Sequence, residues 1–169
     1  MLVSVFEFGV DVMRSSPVPP PLWMLIIAAA EWALSRYWPL RTVLAAPYTR
    51  VGWAVMALAV VPAAAAFVQF RRARTTVNPH RPERAAVLVT SGVYAWTRNP
   101  MYLGLWLVLL GWALRLGTVS ALIGAVLFIP LIECAQIRAE EQALRRRFGA
   151  EYERYCQVVH RWLGRGRPA

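Results

Sequence analysis

Residues 101–132 read MYLGLWLVLLGWALRLGTVSALIGAVLFIPLI, and their pattern is the clearest indication of the architecture of the chain. It contains two apolar runs, 101–114 and 116–132, which are separated by Arg115 and Gly117. Each run is short for a bilayer crossing, which takes about 20 apolar residues. A glycine at the end of an apolar helix favours a tight turn. The stretch therefore predicts a hairpin of two antiparallel helices, whose base extends beyond the hydrocarbon and carries polar residues.

Two further apolar segments precede the hairpin, at residues 21–38 and 51–70, and Pro62 interrupts the second of them. The chain is 58% hydrophobic, which is too apolar for an ordinary soluble domain. We predict the all-α class: a polytopic integral membrane protein with a cytoplasmic C-terminal helical segment. It has four transmembrane helices, or five if residues 1–16 also cross the membrane. The 169 residues are expected to form a single membrane-embedded domain.

The charge of the chain is uneven along its length. It has 19 basic and 9 acidic residues, a net charge of +10, and every basic residue is Arg. The arginines concentrate in residues 71–100 and after residue 138, beside the apolar spans, which is typical of cytoplasmic loops. This distribution argues against nucleic acid as a partner and predicts a bacterial inner-membrane protein whose site faces the cytoplasm.

The cysteines and histidines do not suggest a metal site. Cys134 and Cys156 form no CxxC pair and lie at no metal-ligand spacing from His80 or His160. We expect no metal, and we interpret the two histidines as ordinary surface residues.

Acidic residues in or beside a membrane span are costly, so each is a functional hypothesis. Glu133 and Glu140 are about two helical turns apart and should share a face if the helix continues, with Glu141 adjacent. The alternative to a functional role is that these acids belong to a helix that becomes polar where it leaves the membrane. Glu31, in the first span, could pair with Arg36 or with another helix. We favour a structural role for it.

The segment 137–162 has apolar and aromatic residues at helical spacing, and Gly149 should break it into two helices. The same pattern is also typical of an amphipathic helix that lies on the membrane surface with its Arg side chains facing anionic headgroups.

The entrance to the hairpin, residues 91–104, reads SGVYAWTRNPMYLG. Pro100 suits the first helical turn, and Asn99 before it should cap the helix by accepting from the free amides. Interfacial anchoring explains part of the aromatic content. The free N–H groups at the helix start could also bind a carboxylate. A ligand with a carboxylate, a flat ring and sugar hydroxyls would use all of these features.

Two motifs resemble the isoprenylcysteine carboxyl methyltransferase family and, less closely, the integral-membrane phospholipid and thiol methyltransferases. They are LVTSGVYAWTRNPMYLG at residues 88–104 and EEQALRRRFGAEYERY at residues 140–155. The similarity covers about residues 86–162, in the family's order, so it is much more specific than a single short pattern.

The resemblance implies a membrane methyltransferase that uses S-adenosylmethionine, with N-terminal helices in 1–70 and a cofactor-binding catalytic core in 71–169. It implies a lipid or lipophilic small-molecule acceptor taken from the bilayer, and it leaves the oligomeric state open. The positions that match the family's cofactor-binding residues are Ala86, Val87, Leu88, Val89, Tyr94, Arg98, Asn99, Pro100, Met101, Tyr102, Glu140 and Glu141.

Two departures from the family concern the methyl acceptor. Asn99 stands where many members have His, so a general base is not expected there. Gln136 stands where prenylcysteine-methylating members carry an Arg that is proposed to hold the substrate carboxylate. Gln136 and Glu133 are therefore the candidate catalytic residues on the acceptor side. Methylation of a phospholipid amine or a thiol, or a non-catalytic scaffold or cofactor sensor, remain alternatives.

Overall fold

The computed structural model describes residues 16–72 and 87–166, and within these ranges the chain is helical. The α-helices are α1 (Pro20–Tyr37), α2 (Val51–Leu58), α3 (Val60–Arg72), α4 (Pro100–Leu116), α5 (Val119–Ile132), α6 (Arg138–Phe148) and α7 (Ala150–Val158). Short 3-10 turns lie at Tyr48–Arg50 and Gly92–Ala95, and a π turn, Glu133–Ile137, joins α5 to α6. The described residues contain isolated β-bridges but no strand, so the all-α prediction is confirmed for them.

The predicted hairpin is formed by α4 and α5, and Gly117 makes its turn. Gly117 has φ of 73°, in the left-handed region, and its amide donates to the carbonyl of Ala113 at 2.9 Å. A side chain at position 117 would overlap the carbonyl oxygen of Leu44. The Thr118 hydroxyl accepts from the amide of Ala121 and caps α5. These features make the tight turn that the sequence predicted.

The second predicted span is two helices, and the break between them lies at Ala59, just before Pro62. Pro62 has no N–H for the carbonyl of Leu58, and its ring crowds that carbonyl. The stretch Tyr48–Gln69 remains long and apolar enough to cross a bilayer.

The fourth predicted span, 116–132, continues as a helix past Glu133. Residues Val119–Phe148 form one helical stretch of 30 residues that is also long and apolar enough to cross a membrane. The π turn lies inside it, just after Pro130, and the amide of Arg138 donates to the carbonyl of Glu133. By contrast, α4 is a shorter apolar helix, as predicted. Helices occupy all four predicted spans, and two helical stretches meet the length and hydropathy of a crossing. Residues 1–15, where a fifth was considered, lie outside the described residues.

Small residues and tryptophans hold the helices together. A Cβ at Gly52 of α2 would overlap the carbonyl oxygen of Gly111 on α4, so the two backbones are in direct contact. The indole N–H of Trp106 donates to Ala125 on α5, and that of Trp112 donates to Ala28 on α1. Helix α4 is therefore the central element, packed against α1, α2 and α5.

Glu31 does not pair with Arg36. Its side chain is fully buried between α1 and α5 and lies against Gly124, where any side chain would overlap it. This places it in helix packing, in keeping with the structural role favoured above.

Candidate active site

Tyr102 and Glu140 form the contact at the centre of the predicted site. The phenol O–H of Tyr102, in the first turns of α4, donates to Oε1 of Glu140 in α6 at 2.5 Å. Tyr102 is buried and Glu140 half-buried. Two predicted cofactor residues, far apart in the chain, are thus in direct contact.

Glu141 faces a different set of partners, all of them arginines. Its carboxylate accepts from Nε and Nη2 of Arg161 at 2.9 and 2.7 Å. Its Oε1 lies 3.1 Å from Nη1 of Arg98, and its Oε2 lies 3.9 Å from Nη1 of Arg145. Only 3% of Glu141 is exposed. Hydrogen bonding to Glu141 raises the pKa of Arg161, so this cation stays charged.

Glu133 and Glu140 do not share a face, and this prediction is wrong. Glu133 shares Arg161 with Glu141: Nη1 of Arg161 lies 3.1 Å from Oε2 of Glu133. A π turn takes about one residue more than the 3.6 of an α-helical turn. The π turn after Glu133 therefore shifts the following helix by one position, so that Glu141 takes the place expected for Glu140.

The second oxygen of Glu133 also has a partner, because Oε1 accepts from the indole N–H of Trp162 at 2.6 Å. Both oxygens thus bind the C-terminal segment, residues 159–166. This segment folds back over the loop before α4, as two backbone hydrogen bonds show: Arg98 N to His160 O, and Gly164 N to Trp96 O. A third, His160 N to Gly164 O, closes a turn within the segment. Arg165 adds a hydrogen bond to Ala95 O and lies over the Trp96 ring at 4.6 Å.

Asn99 lies just before α4, as predicted, but its side chain does not cap the helix. Its Nδ2 donates to the carbonyl of Arg161 at 3.1 Å, and the Thr97 hydroxyl donates to the same carbonyl at 3.4 Å. The expectation that the Asn99 side chain accepts from the free amides is therefore wrong. The amide is instead used to hold the C-terminal segment. The backbone amide of Asn99 donates to the Thr97 hydroxyl at 3.1 Å.

The side chain of Arg98 packs against α7 and is largely shielded from solvent. Besides Glu141, its Nη1 donates to the phenol oxygen of Tyr152 at 3.3 Å and to Sγ of Cys156 at 2.7 Å. Only 11% of the Arg98 side chain is exposed. Arg98 thus joins the loop before α4 to both C-terminal helices.

An aromatic cluster adjoins this loop, and it is formed by Ala66, Tyr94, Tyr152, Tyr155 and Val159. The Tyr155 O–H donates to the carbonyl of Tyr94 at 2.7 Å. Burial raises the pKa of Tyr94, Tyr152 and Tyr155, so all three phenols are protonated at neutral pH. The cluster holds the 3-10 turn Gly92–Ala95 against α7.

The remaining predicted cofactor residues have different surroundings. Leu88 and Val89 pack against the aromatic cluster, and Pro100 is buried at the start of α4. Val87 and Met101 are exposed. Ala86 lies outside the described residues, as does His80.

Gln136 is fully buried in the π turn. Its Nε2 donates to the carbonyl oxygens of Ser16 and Val18 at 3.0 and 2.9 Å, and the amide of Ser16 donates to the carbonyl of Ala135. The side chain therefore holds the segment that leads into α1. In the described part of the chain, its Oε1 has no hydrogen-bond partner.

Sequence reasoning missed Arg161, Trp162 and Tyr152. The predicted helix over 137–162 ends at Val158, and the chain then turns at Gly164, which has φ of 111°. The GRG sequence at 164–166 was the available signal for this reversal. Within the described ranges, no group of three His, Cys, Asp or Glu side chains is placed to hold a metal ion.

Comparisons with known proteins identify the family of the chain. The family model of the phospholipid methyltransferases matches residues 48–151, which include α4, the π turn and all of α6. An uncharacterised protein of Haemophilus influenzae is 51% identical over 63 residues, covering 37% of this chain and the whole of that protein. The protein-S-isoprenylcysteine O-methyltransferase of Saccharomyces cerevisiae is 35% identical over 79 residues, covering 47% of this chain and 33% of that protein. No solved structure matches the chain. The chain belongs to the phospholipid methyltransferase family, and its resemblance to the isoprenylcysteine methyltransferases is confirmed.

Proposed function

We propose that this membrane protein transfers a methyl group from S-adenosylmethionine to a lipophilic acceptor. The observation that carries the proposal is the contact between Tyr102 and Glu140. In this contact, the phenol of Tyr102 orients the half-buried carboxylate of Glu140 next to the N-terminus of α4, which no side chain caps. The family supports methyl transfer in a membrane; the cofactor and the acceptor are our inference.

The residues present fit this cofactor by their chemistry. S-adenosylmethionine carries an ammonium, ribose hydroxyls and a carboxylate, and it supplies an electrophilic methyl group on a positively charged sulfur. The Glu140 carboxylate can accept from the ammonium or the hydroxyls. The positive end of the α4 helix dipole suits the carboxylate. Leu88 and Val89, with Tyr94, would provide the apolar surroundings for the adenine.

Glu141, Arg98 and Arg161 maintain the shape of the site and do not themselves react. Their ion pairs hold α6, the loop before α4 and the C-terminal segment together. A fixed geometry lowers the entropy lost on reaching the transition state, and a covered site excludes water. On the acceptor side we place Glu133 and Gln136, which lie in the π turn between the apolar helix α5 and Glu140. A lipophilic acceptor would reach them from the bilayer.

Calorimetric titration of the purified chain with S-adenosylmethionine tests the proposal. We expect saturable binding, and we expect Glu140→Gln to weaken it by about tenfold or more, because a hydrogen bond to a charged group is lost. Glu151→Gln, at an exposed position of α7, is the matched control and should bind like the wild type. Absence of saturable binding to the wild type would refute the proposal.

Transfer of labelled methyl to a membrane lipid extract separates an enzyme from a cofactor sensor. An enzyme labels a lipid in proportion to time and protein. A chain that binds the cofactor and labels nothing would point to the sensor alternative.

A further inference from the structure

Glu31 is an acid that the proposed function does not use, and it lies within the packing of α1 on α5. Its side chain is fully buried. A Cβ at Gly124 of α5 would lie 2.7 Å from Oε1 of Glu31, so the carboxyl occupies the space that a side chain there would need. The backbone amide of Ala125 is near the carboxyl, but neither carboxyl oxygen has a hydrogen-bond partner in the described part of the chain.

No charge in the described ranges compensates Glu31. Helix α5 has no ionisable side chain along its whole length. Helix α4 has two, Tyr102 and Arg115: the first donates to the acid of the proposed site, and the second is exposed. On α1 itself, Arg36 and Tyr37 are both exposed. An unpaired charge between apolar helices costs far more than a neutral carboxyl, so Glu31 keeps its proton in this packing.

Three hydroxyl groups lie beyond Glu31 toward the hairpin turn. Ser35 follows Glu31 by about one turn of α1, and Ser120 precedes Gly124 by about one turn of α5. The Thr118 hydroxyl donates to Oγ of Ser35 at 3.0 Å and accepts from the Ser120 hydroxyl at 3.1 Å. Hydroxyl groups both donate and accept, so they offer a proton a polar route between the carboxyl and the turn.

The other end of α1 is bound to the π turn. Nε2 of Gln136 donates to the carbonyl oxygens of Ser16 and Val18, and the amide of Ser16 donates to the carbonyl of Ala135. Residues 16–18 lead directly into α1, so a shift of α1 relative to α5 would strain these three hydrogen bonds.

We propose that Glu31 is a protonation-dependent latch between α1 and α5. With its proton, the carboxyl is neutral and packs against Gly124, which keeps α1 in place. When the proton passes along the hydroxyl groups to water at the hairpin turn, a carboxylate remains between the two helices. Because that charge has no partner there, α1 moves away from α5 and the hydrogen bonds of residues 16–18 to the π turn weaken. The acidity on one side of the membrane thereby controls the π turn, whether or not the chain transfers a methyl group.

Thermal unfolding of the full chain in detergent, followed against pH, tests whether Glu31 holds a proton. In the unfolded chain this carboxyl ionises at about pH 4.3. Above that pH the folded chain keeps a proton that the unfolded chain has lost, so stability decreases as the pH rises. Glu31→Gln is neutral at every pH. Relative to it, the folding equilibrium constant of the wild type should fall about tenfold per pH unit while the folded carboxyl stays protonated.

Two further variants support this measurement. Glu151→Gln, at an exposed position of α7, is the matched control and should keep the pH dependence of the wild type. Glu31→Met is a second neutral variant of similar length, and it should lack the same slope if Glu31→Gln does not fold.

Hydrogen exchange at the amide of Ser16, which donates to the carbonyl of Ala135, tests the link to the π turn. The wild type and Glu31→Gln are compared at each pH, which cancels the intrinsic effect of pH on exchange. We expect equal rates near the acidic end of a series from about pH 5 to about pH 10, and at least about tenfold faster exchange in the wild type at the alkaline end. Amides within α7 should exchange alike in both proteins.

Parallel pH dependence of unfolding in the wild type and the neutral variants would overturn the latch, because Glu31 would then hold no proton on folding. Equal exchange at Ser16 over the whole series would also overturn it, since α1 would then not respond to the charge of the carboxyl.

Discussion

The phenol of Tyr102 and the carboxylate of Glu140 are joined by a hydrogen bond of 2.5 Å that links the first turns of α4 to α6. Replacement of Tyr102 by Phe removes the donor and leaves the ring. We expect affinity for S-adenosylmethionine to fall by about tenfold, because Glu140 loses the hydrogen bond that orients it. Titration calorimetry measures the change. Tyr48→Phe, at an exposed tyrosine, is the control, and an unchanged affinity in Tyr102→Phe would contradict the role given to this contact.

Arg161 connects two acids and the loop before α4, so Arg161→Met should affect stability and cofactor binding together. It removes the bidentate pair with Glu141 and the contact with Glu133. We expect a loss of about 2 kcal/mol, below the cost of breaking a fully buried pair, because 30% of the Arg161 side chain is exposed. Thermal unfolding in detergent measures it. Arg154→Met, at an exposed position of α7, is the control and should change the melting temperature little. Equal effects of the two variants would contradict the role given to the ion pairs of Arg161.

Gly117 and Gly149 both have positive φ, at 73° and 49°, but they differ in the space around them. A Cβ at Gly117 would overlap the carbonyl of Leu44, whereas a Cβ at Gly149 would meet nothing within 4 Å. We expect Gly149→Ala to cost about 1–3 kcal/mol from its backbone conformation alone, φ 49° with ψ −124°, and Gly117→Ala to be destabilised both by its positive φ and by overlap with the Leu44 carbonyl. Thermal unfolding of the two variants checks this, and an unchanged melting temperature in Gly117→Ala would refute the hairpin packing described above.

The arginine distribution predicts the orientation of the chain in the membrane. In a background without Cys134 and Cys156, a single cysteine at Arg146→Cys should be shielded from an impermeant maleimide added outside intact cells. A cysteine at Arg41→Cys, between the first two spans, should react. Both positions are exposed on the protein, so the difference reports the side of the membrane. Labelling of Arg146→Cys without labelling of Arg41→Cys would show that the chain has the opposite orientation in the membrane.

Local signals in the sequence predicted a large part of the fold and of the site. Pro100 marked the start of α4, Gly117 marked the turn, and Gly149 separated α6 from α7. These residues act through their own backbone conformation, so the sequence reveals them directly. The sequence could indicate that Tyr102 and Glu140 belong to one site, because both residues lie in recognisable motifs.

The remaining features depend on contacts between distant segments. Asn99 has the sequence context of a cap, but the carbonyl of Arg161, 62 residues further on, takes its side-chain amide. The three arginines around Glu141 come from a loop, from α6 itself and from the C-terminal segment. No local pattern shows which arginine will meet which acid. The π turn was also missed, because apolar periodicity over a few residues does not reveal one extra residue in a turn.

The π turn Glu133–Ile137 has a consequence for how this chain is aligned with its relatives. One extra residue in a helix amounts to a rotation of about 100° for everything that follows. It decides which of two adjacent glutamates meets Tyr102 and which meets the arginines. A relative that is one residue shorter here would therefore need an alignment gap inside the turn. Without that gap, a letter-by-letter comparison would assign the roles of Glu140 and Glu141 to each other's positions.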